Sequence, residues 1–342
     1  MTAQQRQRGL NFRFWRSDLA VDFGTTNTLI YMPRRGIVLQ EPSVVAMRGN
    51  AVVAVGKKAE RMLGRTPGGI RAVKPLQSGV IADYDLARKM LERFISRVIR
   101  RFPFFKLRLI VTVPSGTTQV ERRAVLSAGK RCGIKEVYLI EEPIAAAIGT
   151  GRPVAEPRGN FIINCGGGLT EIAVISLGGI VLASSLRQGG ETINAIIQRY
   201  LFRRYRMEVG LSIIEEAKRR AGYAIDPPPD LTYNFKGINL HRRGPGALEI
   251  KAEELTEAIE PVLSAIAEAA RNIFEQIPPQ LAADVMSDGI VLAGGAALLH
   301  NFDLYLSRKL NLPVHRAEDP YTCAVRGASE AINYMDRLVL HS

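Results

Sequence analysis

Two segments of this sequence are built alike. Residues 18–38 read DLAVDFGTTNTLIYMPRRGIV, and residues 160–181 read NFIINCGGGLTEIAVISLGGIV. Each is an apolar strand, a turn of small residues and a second strand rich in β-formers. Asp22 and Asn164 lie 142 residues apart, as do Gly24 and Gly166. Two half-chains that open with one hairpin predict a duplicated domain. The chain has 342 residues, enough for about two domains of ~150 residues each and for a core that needs no staples.

Strands and helices alternate between these marks, which predicts an α/β fold. Leu107–Val113 is expected to be a strand ending at Pro114, Thr118–Cys132 a helix, and Val137–Ile140 a short strand. Pro143–Gly149 opens an alanine-rich helix, with proline suited to its first turn. Residues 85–101 carry a helical core stripe through Leu86, Met90, Leu91, Phe94, Ile95, Val98 and Ile99. In the second half, Glu253–Gln276 is a long helical pattern, and Ile290–Ala293 is a strand running into Gly294-Gly295. Pro227–Pro229 and Arg242–Gly246 read as loops within a polar insert over about 188–250, and a similar insert spans about 33–74.

Composition excludes several classes. Apolar residues make up 46% and charged residues 23%, as in a globular protein. Three cysteines without C-x-x-C spacing argue against a disulfide scaffold or zinc ribbon and favour a reducing cytoplasm. No apolar run is long enough for a transmembrane helix, and no signal-peptide core is evident. The four histidines show no metal-ligand spacing. The net charge is +13, and it is concentrated. Residues 1–16 and 93–108 hold ten basic residues and no acid. Such charge implies an anionic partner. Nucleic acid is set aside because the basic residues are mixed with bulky apolar ones and no nucleic-acid-binding motif is present.

A bound triphosphate needs clustered backbone N–H groups, small residues for close approach, and a cation held by a carboxylate. Asp22-Phe23-Gly24-Thr25-Thr26-Asn27 supplies one such set and Gly166-Gly167-Gly168 a second. Gly294-Gly295, at a strand-to-helix turn, is suited to lie against a flat nucleoside. Asp22-Phe23-Gly24 mimics the magnesium motif of protein kinases, but no H-R-D loop precedes it. Neither a P-loop nor a dinucleotide-binding fingerprint stands in context.

The stretches VDFGTTNTLIY, EPSVVA, RMLGRTPGGI, GVIADYD, VPSGTTQVERRAV, VYLIEEPIAAAIG, GGGLTEIAVISLGGI, PPQLAADV, GIVLAGGAALL and LPVHRAEDPYTCAVRGA resemble the MreB family of bacterial actins, in the same order and over nearly the whole chain after about residue 10. The resemblance implies an actin-like α/β fold: two RNase H-like lobes, each with a small insert, and ATP with Mg²⁺ in the cleft between them. Lobe I would take residues 1–150 and the returning 323–342, and lobe II residues 151–322. By position, Asp22 would hold the hydration shell of Mg²⁺. Gly24, Thr25, Thr26 and Asn27 would line the phosphates, as would Gly166, Gly167 and Gly168. Glu142 would orient the attacking water, as a carboxylate can by accepting its proton. Glu215 and Lys218, three apart on one helix face, would contact the adenosine, with a solvated ion pair as the alternative. Gly294, Gly295 and Ala296 would face the nucleoside.

Two departures fall where hydrolysis is sensitive. The family's second hairpin reads D-x-G-G-G-T-T-E; here Asn164 replaces the aspartate and Leu169 a threonine. The amide removes a charge that helps place Mg²⁺, and leucine cannot hydrogen-bond a water. ATP hydrolysis is therefore expected to be slow. The resemblance also implies self-assembly into filaments on the anionic inner surface of the cell membrane, on its cytoplasmic side. It further implies cell-wall elongation partners such as RodZ, MreC and MreD. Leu10, Phe12, Phe14 and Trp15, interleaved with arginines, and Phe102, Phe104 and Phe105 are the expected membrane contacts. A buried phenylalanine contributes roughly 1.5–3 kcal/mol and an arginine near anionic lipid about 1 kcal/mol. One subunit would bind weakly, and a filament firmly by avidity. A nucleotide-locked paralogue that co-assembles with an active member, and a small-molecule kinase of the same fold, remain as alternatives.

Overall fold

A computed structural model describes residues 16–64, 69–101 and 106–332. The first part of the chain builds β1 (Arg16–Phe23), β2 (Asn27–Met32), β3 (Gly36–Pro42), β4 (Val45–Arg48), β5 (Ala51–Val55), α1 (Lys57–Glu60), β6 (Ile70–Val73), β7 (Leu76–Gln77) and β8 (Val80–Ile81). It continues through α2 (Tyr84–Arg101), β9 (Lys106–Val113), α3 (Gln119–Arg131), β10 (Glu136–Glu141) and α4 (Glu142–Gly149). The second part opens with β11 (Asn160–Cys165), β12 (Thr170–Ser176), β13 (Gly179–Leu186), α5 (Gly190–Tyr205), β14 (Met207–Glu208), α6 (Leu211–Ala221), β15 (Thr232–Asn239) and β16 (Gly244–Lys251). It ends with α7 (Ala252–Gln276), α8 (Pro279–Asp288), β17 (Ile290–Ala293), a 3-10 turn (Gly295–Leu298), α9 (Phe302–Leu310), β18 (Val314–Arg316) and α10 (Cys323–Ala331).

The expected duplication is present in the topology. One five-stranded sheet runs β3-β2-β1-β9-β10 and the other β13-β12-β11-β17-β18. In each, a meander of three antiparallel strands is extended by two parallel ones. Asp22 and Asn164 occupy equivalent places: Asp22 is in register with Thr112 on β9, and Asn164 with Ala293 on β17.

Strand alternation sends successive side chains to opposite faces, and here both faces are buried. Leu19, Val21 and Phe23 of β1 join Leu109 and Val111 of β9 under α2 and α3. Phe161 and Ile163 of β11 join Ile290 and Leu292 of β17 under α5, α7 and α9. The intervening residues Ala20, Ile110, Ile162, Val291 and Ala293 turn the other way, into a third core built around α4 and α10. Those two helices lie between the sheets with their backbones in contact. A Cβ on Gly149 would fall 1.9 Å from the carbonyl oxygen of Cys323, and one on Gly327 would fall 1.8 Å from that of Ala145.

Two expectations about the inserts need correction. Within 33–74, β3 is the edge strand of the first large sheet, so the separate small sheet is β5-β4-β6 alone. Gly244–Gly246 are not loop but the start of β16, paired with Asn239–Gly237. β16 is the edge of the sheet β14-β15-β16, where Pro245 disturbs no inner ladder. α3 begins at a capping box: the Thr118 hydroxyl accepts from the Glu121 N–H, and the Glu121 carboxylate accepts from that of Thr118.

The contact between α4 and α10 sets a test. Gly327→Ala puts a methyl group against backbone atoms that have no rotamer to yield, so it should lower the unfolding free energy by at least about 2 kcal/mol. Gly116→Ala, with nothing within 4 Å of the added Cβ, should change it by less than about 1 kcal/mol. Urea denaturation of both variants checks the pair.

Candidate functional site

The two glycine turns meet across a cleft. The turn between β1 and β2 presents Thr25 and Thr26, and the turn between β11 and β12 presents Gly167 and Gly168. A Cβ on Gly167 would lie 1.9 Å from Thr26 Oγ1, and one on Gly168 would lie 2.8 Å from Thr25 Cγ2. Only glycine allows this approach. Each turn is braced from behind. The Ser43 hydroxyl donates to the Gly24 carbonyl at 2.7 Å, and the Ser43 N–H donates to that of Thr26 at 2.9 Å. Gly190 N–H donates to the Gly166 carbonyl at 3.1 Å and Glu191 N–H to the Gly167 carbonyl at 2.8 Å, so α5 starts directly behind the second turn.

Carboxylates gather at the strand ends below the turns. Asp22, partly buried, accepts a hydrogen bond from the Thr112 hydroxyl at 3.1 Å. Loss of hydration outweighs that bond and pushes its pKa up to about 6. Glu142, at the first turn of α4, accepts from the Asn164 amide at 2.8 Å. Burial first, then the charges of Asp22 and Glu171, hold it well above the usual carboxylate range. Glu171, 1% exposed, accepts from both the N–H (2.8 Å) and the hydroxyl (2.7 Å) of Ser115. Burial nevertheless lifts it to about 7, and its second oxygen has no hydrogen-bond partner among the described residues. These acids are held at the cost of their hydration, as in a site that receives positive charge or a proton.

Of the remaining expected residues, Lys218 and Gly294 pack beside the second turn, while Ala296 lies in the core. Lys218 bonds Glu215 at 2.7 Å and reaches the Gly190 carbonyl at 3.1 Å. This is more than a solvated pair: the lysine is 13% exposed and sits against the start of α5. Asn194 donates to the same Glu215 oxygen at 2.7 Å. Gly294, at φ 86°, leaves no room for a Cβ, which would lie 2.3 Å from the Cys165 carbonyl oxygen. Gly295 packs on the Tyr321 ring, and Ala296 is buried in the core of the second sheet. Cys165 is buried, its thiol pushed up to about 11 by loss of hydration, as befits a packing residue. The expected membrane residues Leu10, Phe12, Phe14, Trp15, Phe102, Phe104 and Phe105 lie outside the described residues. Of the basic residues at 93–108, Arg97 is paired with Glu41 and Arg108 is bidentate on Asp18, so part of that charge is neutralised within the protein.

The sequence reading left out Glu171, Ser115, Lys74 and Glu191. Glu171 was discoverable as an acid in an otherwise apolar strand, TEIAVIS. The other three have no local signal, because their partners lie 56 to 165 residues away.

A folded-state pKa above the ordinary value means that the native protein binds the proton more tightly than the unfolded chain. The stability such an acid contributes is then complete below its ordinary pKa, 3.8 for Asp22, and is lost as pH rises through about 6. Asp22→Asn keeps the bond from Thr112 without the buried charge. In the absence of nucleotide it should raise stability at pH 7.5 by about 1–3 kcal/mol and flatten the decline above pH 4. Urea unfolding midpoints at pH 4, 5.5 and 7.5 test this.

Known proteins share this fold. The MreB/Mbl protein family profile matches residues 16–339. The cell shape-determining protein MreB of Escherichia coli K12 is 44% identical over 327 residues, 94% of each chain. The cell shape-determining protein Mbl of Bacillus subtilis is 38% identical over 323 residues, 94% of this chain and 97% of that one. The crystal structure of MreB5 of Spiroplasma citri bound to ADP superposes with a TM-score of 0.88 at 32% identity, covering 94% of this chain and 98% of the other. The fold is actin-like, and the chain belongs to the MreB/Mbl family.

Proposed function

We propose that this chain binds ATP with Mg²⁺ between lobe I (1–150 with 323–342) and lobe II (151–322). It polymerises into filaments on the anionic inner face of the cell membrane and organises cell-wall synthesis there, so that the cell keeps its shape. The observation that carries this reading is the meeting of two duplicated glycine turns over buried carboxylates, in a chain 44% identical to a cell shape-determining protein. No described helix is long and apolar enough to cross a membrane, and attachment is assigned to the aromatic segments near residues 8–16 and 102–105.

The residues present suit the ligands. Gly24–Asn27 and Gly166–Gly168 offer backbone N–H groups with no Cβ to block a phosphate. Asp22 would hold a magnesium ion through water: the ion favours oxygen ligands and keeps much of its own hydration. Among the described residues no three His, Cys, Asp or Glu side chains are grouped to hold an ion directly. When bound, the ion would neutralise charge on the phosphate oxygens. Glu142 is proposed to orient the attacking water, and its raised proton affinity suits it to hold a proton taken from that water. Lys218 and Glu215 would meet the adenosine from one side, and Gly294, Gly295 and Ala296 from the other.

Hydrolysis is proposed to be slow. The Asn164 amide hydrogen-bonds Glu142 at 2.8 Å and so occupies one of its two carboxylate oxygens. Leu169 turns its side chain onto Gly79 of lobe I, where a Cβ would lie 2.6 Å from a leucine methyl. Both features also favour a second reading, a nucleotide-locked scaffold that co-assembles with an active member of the family.

Sedimentation with anionic liposomes, with ATP, with ADP and without nucleotide, tests the assignment. Ordered filaments on lipid are expected, and equal pellets in every state would favour the locked scaffold. Protein that stays monomeric and unbound throughout would overturn the filament reading. In a phosphate-release assay the double variant Asn164→Asp, Leu169→Thr should be several-fold faster than the parent, and no change would remove the account of slow hydrolysis.

A further inference from the structure

Three residues from distant parts of the chain converge at the mouth of the cleft. The Thr26 hydroxyl donates to Glu191 Oε1 at 2.9 Å, and Lys74 Nζ donates to the same oxygen at 2.6 Å. Thr26 belongs to the first glycine turn, Lys74 to the segment between β6 and β7, and Glu191 to the first turn of α5. Glu191 is anchored by its own N–H on the Gly167 carbonyl, and the Cα of Gly167 faces the Thr26 hydroxyl. One carboxylate oxygen is thus held beside both glycine turns by a hydroxyl and an ammonium.

That donor set recognises an oxyanion, whatever molecule carries it. A phosphate oxygen asks for the same hydroxyl and the same ammonium as a carboxylate oxygen, and a lysine serves phosphate well as a point charge. We infer that Thr26 and Lys74 form a subsite for the terminal phosphate of a triphosphate, and that Glu191, which fills it in this structure, competes with that phosphate; the inference rests on the nucleotide reading above. The geometry permits the exchange. The Lys74 and Glu191 side chains are 34% and 32% exposed, so either can change partner by rotating into solvent while the backbone stays in place. Lys74 then favours triphosphate over diphosphate, because the diphosphate lacks the group it would reach. Glu191 opposes that preference, because Lys74 must abandon it to bind the ligand.

The test is the dissociation constant of the full-length protein for ATP and for ADP, each with Mg²⁺, measured by displacement of a fluorescent ADP analogue. Glu191→Gln keeps the size of the side chain and an oxygen for Thr26 but removes the charge. It should tighten ATP by roughly tenfold while ADP stays within about twofold. Lys74→Ala should weaken ATP and bring the two constants together. An unchanged ratio of the two constants in Glu191→Gln, or a loss of ATP affinity in it, overturns the subsite while leaving nucleotide binding intact. Failure of the parent protein to bind either nucleotide overturns the nucleotide reading and this inference together. Glu191→Gln decides alone should Lys74→Ala not fold.

Discussion

The backbone contact between α4 and α10 is what the rest of the molecule depends on. Each five-stranded sheet could bury its outer face under its own helices, but among the described residues the inner faces have only these two helices between them. Alanines at 145–147 and glycines at 149 and 327 let the helices approach until carbonyl oxygens lie where side chains would otherwise stand. Small residues here are therefore a requirement of the whole fold. They bring the sheets close enough for the turns at Gly24 and Gly166 to face one another. A larger residue at the crossing would separate the turns as well as strain the helices.

The cleft this creates is electrostatically tense. Asp22, Glu142 and Glu171 are drawn out of water, and the charges of Asp22 and Glu171 further raise the proton affinity of Glu142. Asn164 relieves part of that load. An aspartate in its place would set a second carboxylate 2.8 Å from Glu142, which needs a proton or a cation between them. The amide needs neither, and it holds Glu142 to the second turn with a hydrogen bond. The apolar counterpart is Leu169 on Gly79, a contact across the cleft that carries no charge. Both contacts close the two sides of the cleft on one another.

Polar contacts across the cleft reinforce that closure. Ser115 binds Glu171, and Thr26 and Lys74 bind Glu191, each joining one large sheet's side of the cleft to the other. Ser115, Glu171, Thr26 and Lys74 lie at or beside strand ends, where the backbone is fixed by a sheet, and Glu191 lies in the first turn of α5. The stiffness of the sheets positions the chemistry, and the side chains at their ends supply it.

The sequence by itself determined the duplicated hairpins, the alternation of strands and helices, the stripe that buries α2 and the glycine turns. These are local features: strand period, helix period and turn chemistry are written in neighbouring residues. Proline and glycine density led to a loop at Gly244–Gly246, because the sequence does not show which strand will lie at a sheet edge and tolerate proline. The glycine turn around Asp22 was legible from its residue types, and Glu142 was assigned through the family resemblance. The proton affinities of these two acids were not legible, since burial and mutual repulsion exist only after the lobes meet. Only the tertiary structure decided that Asn164 would bind Glu142, that Leu169 would rest on Gly79, and that Glu191 would lie against Thr26 and Lys74. Each joins residues 22 to 165 positions apart, and at such separations packing, not local pattern, selects the partner.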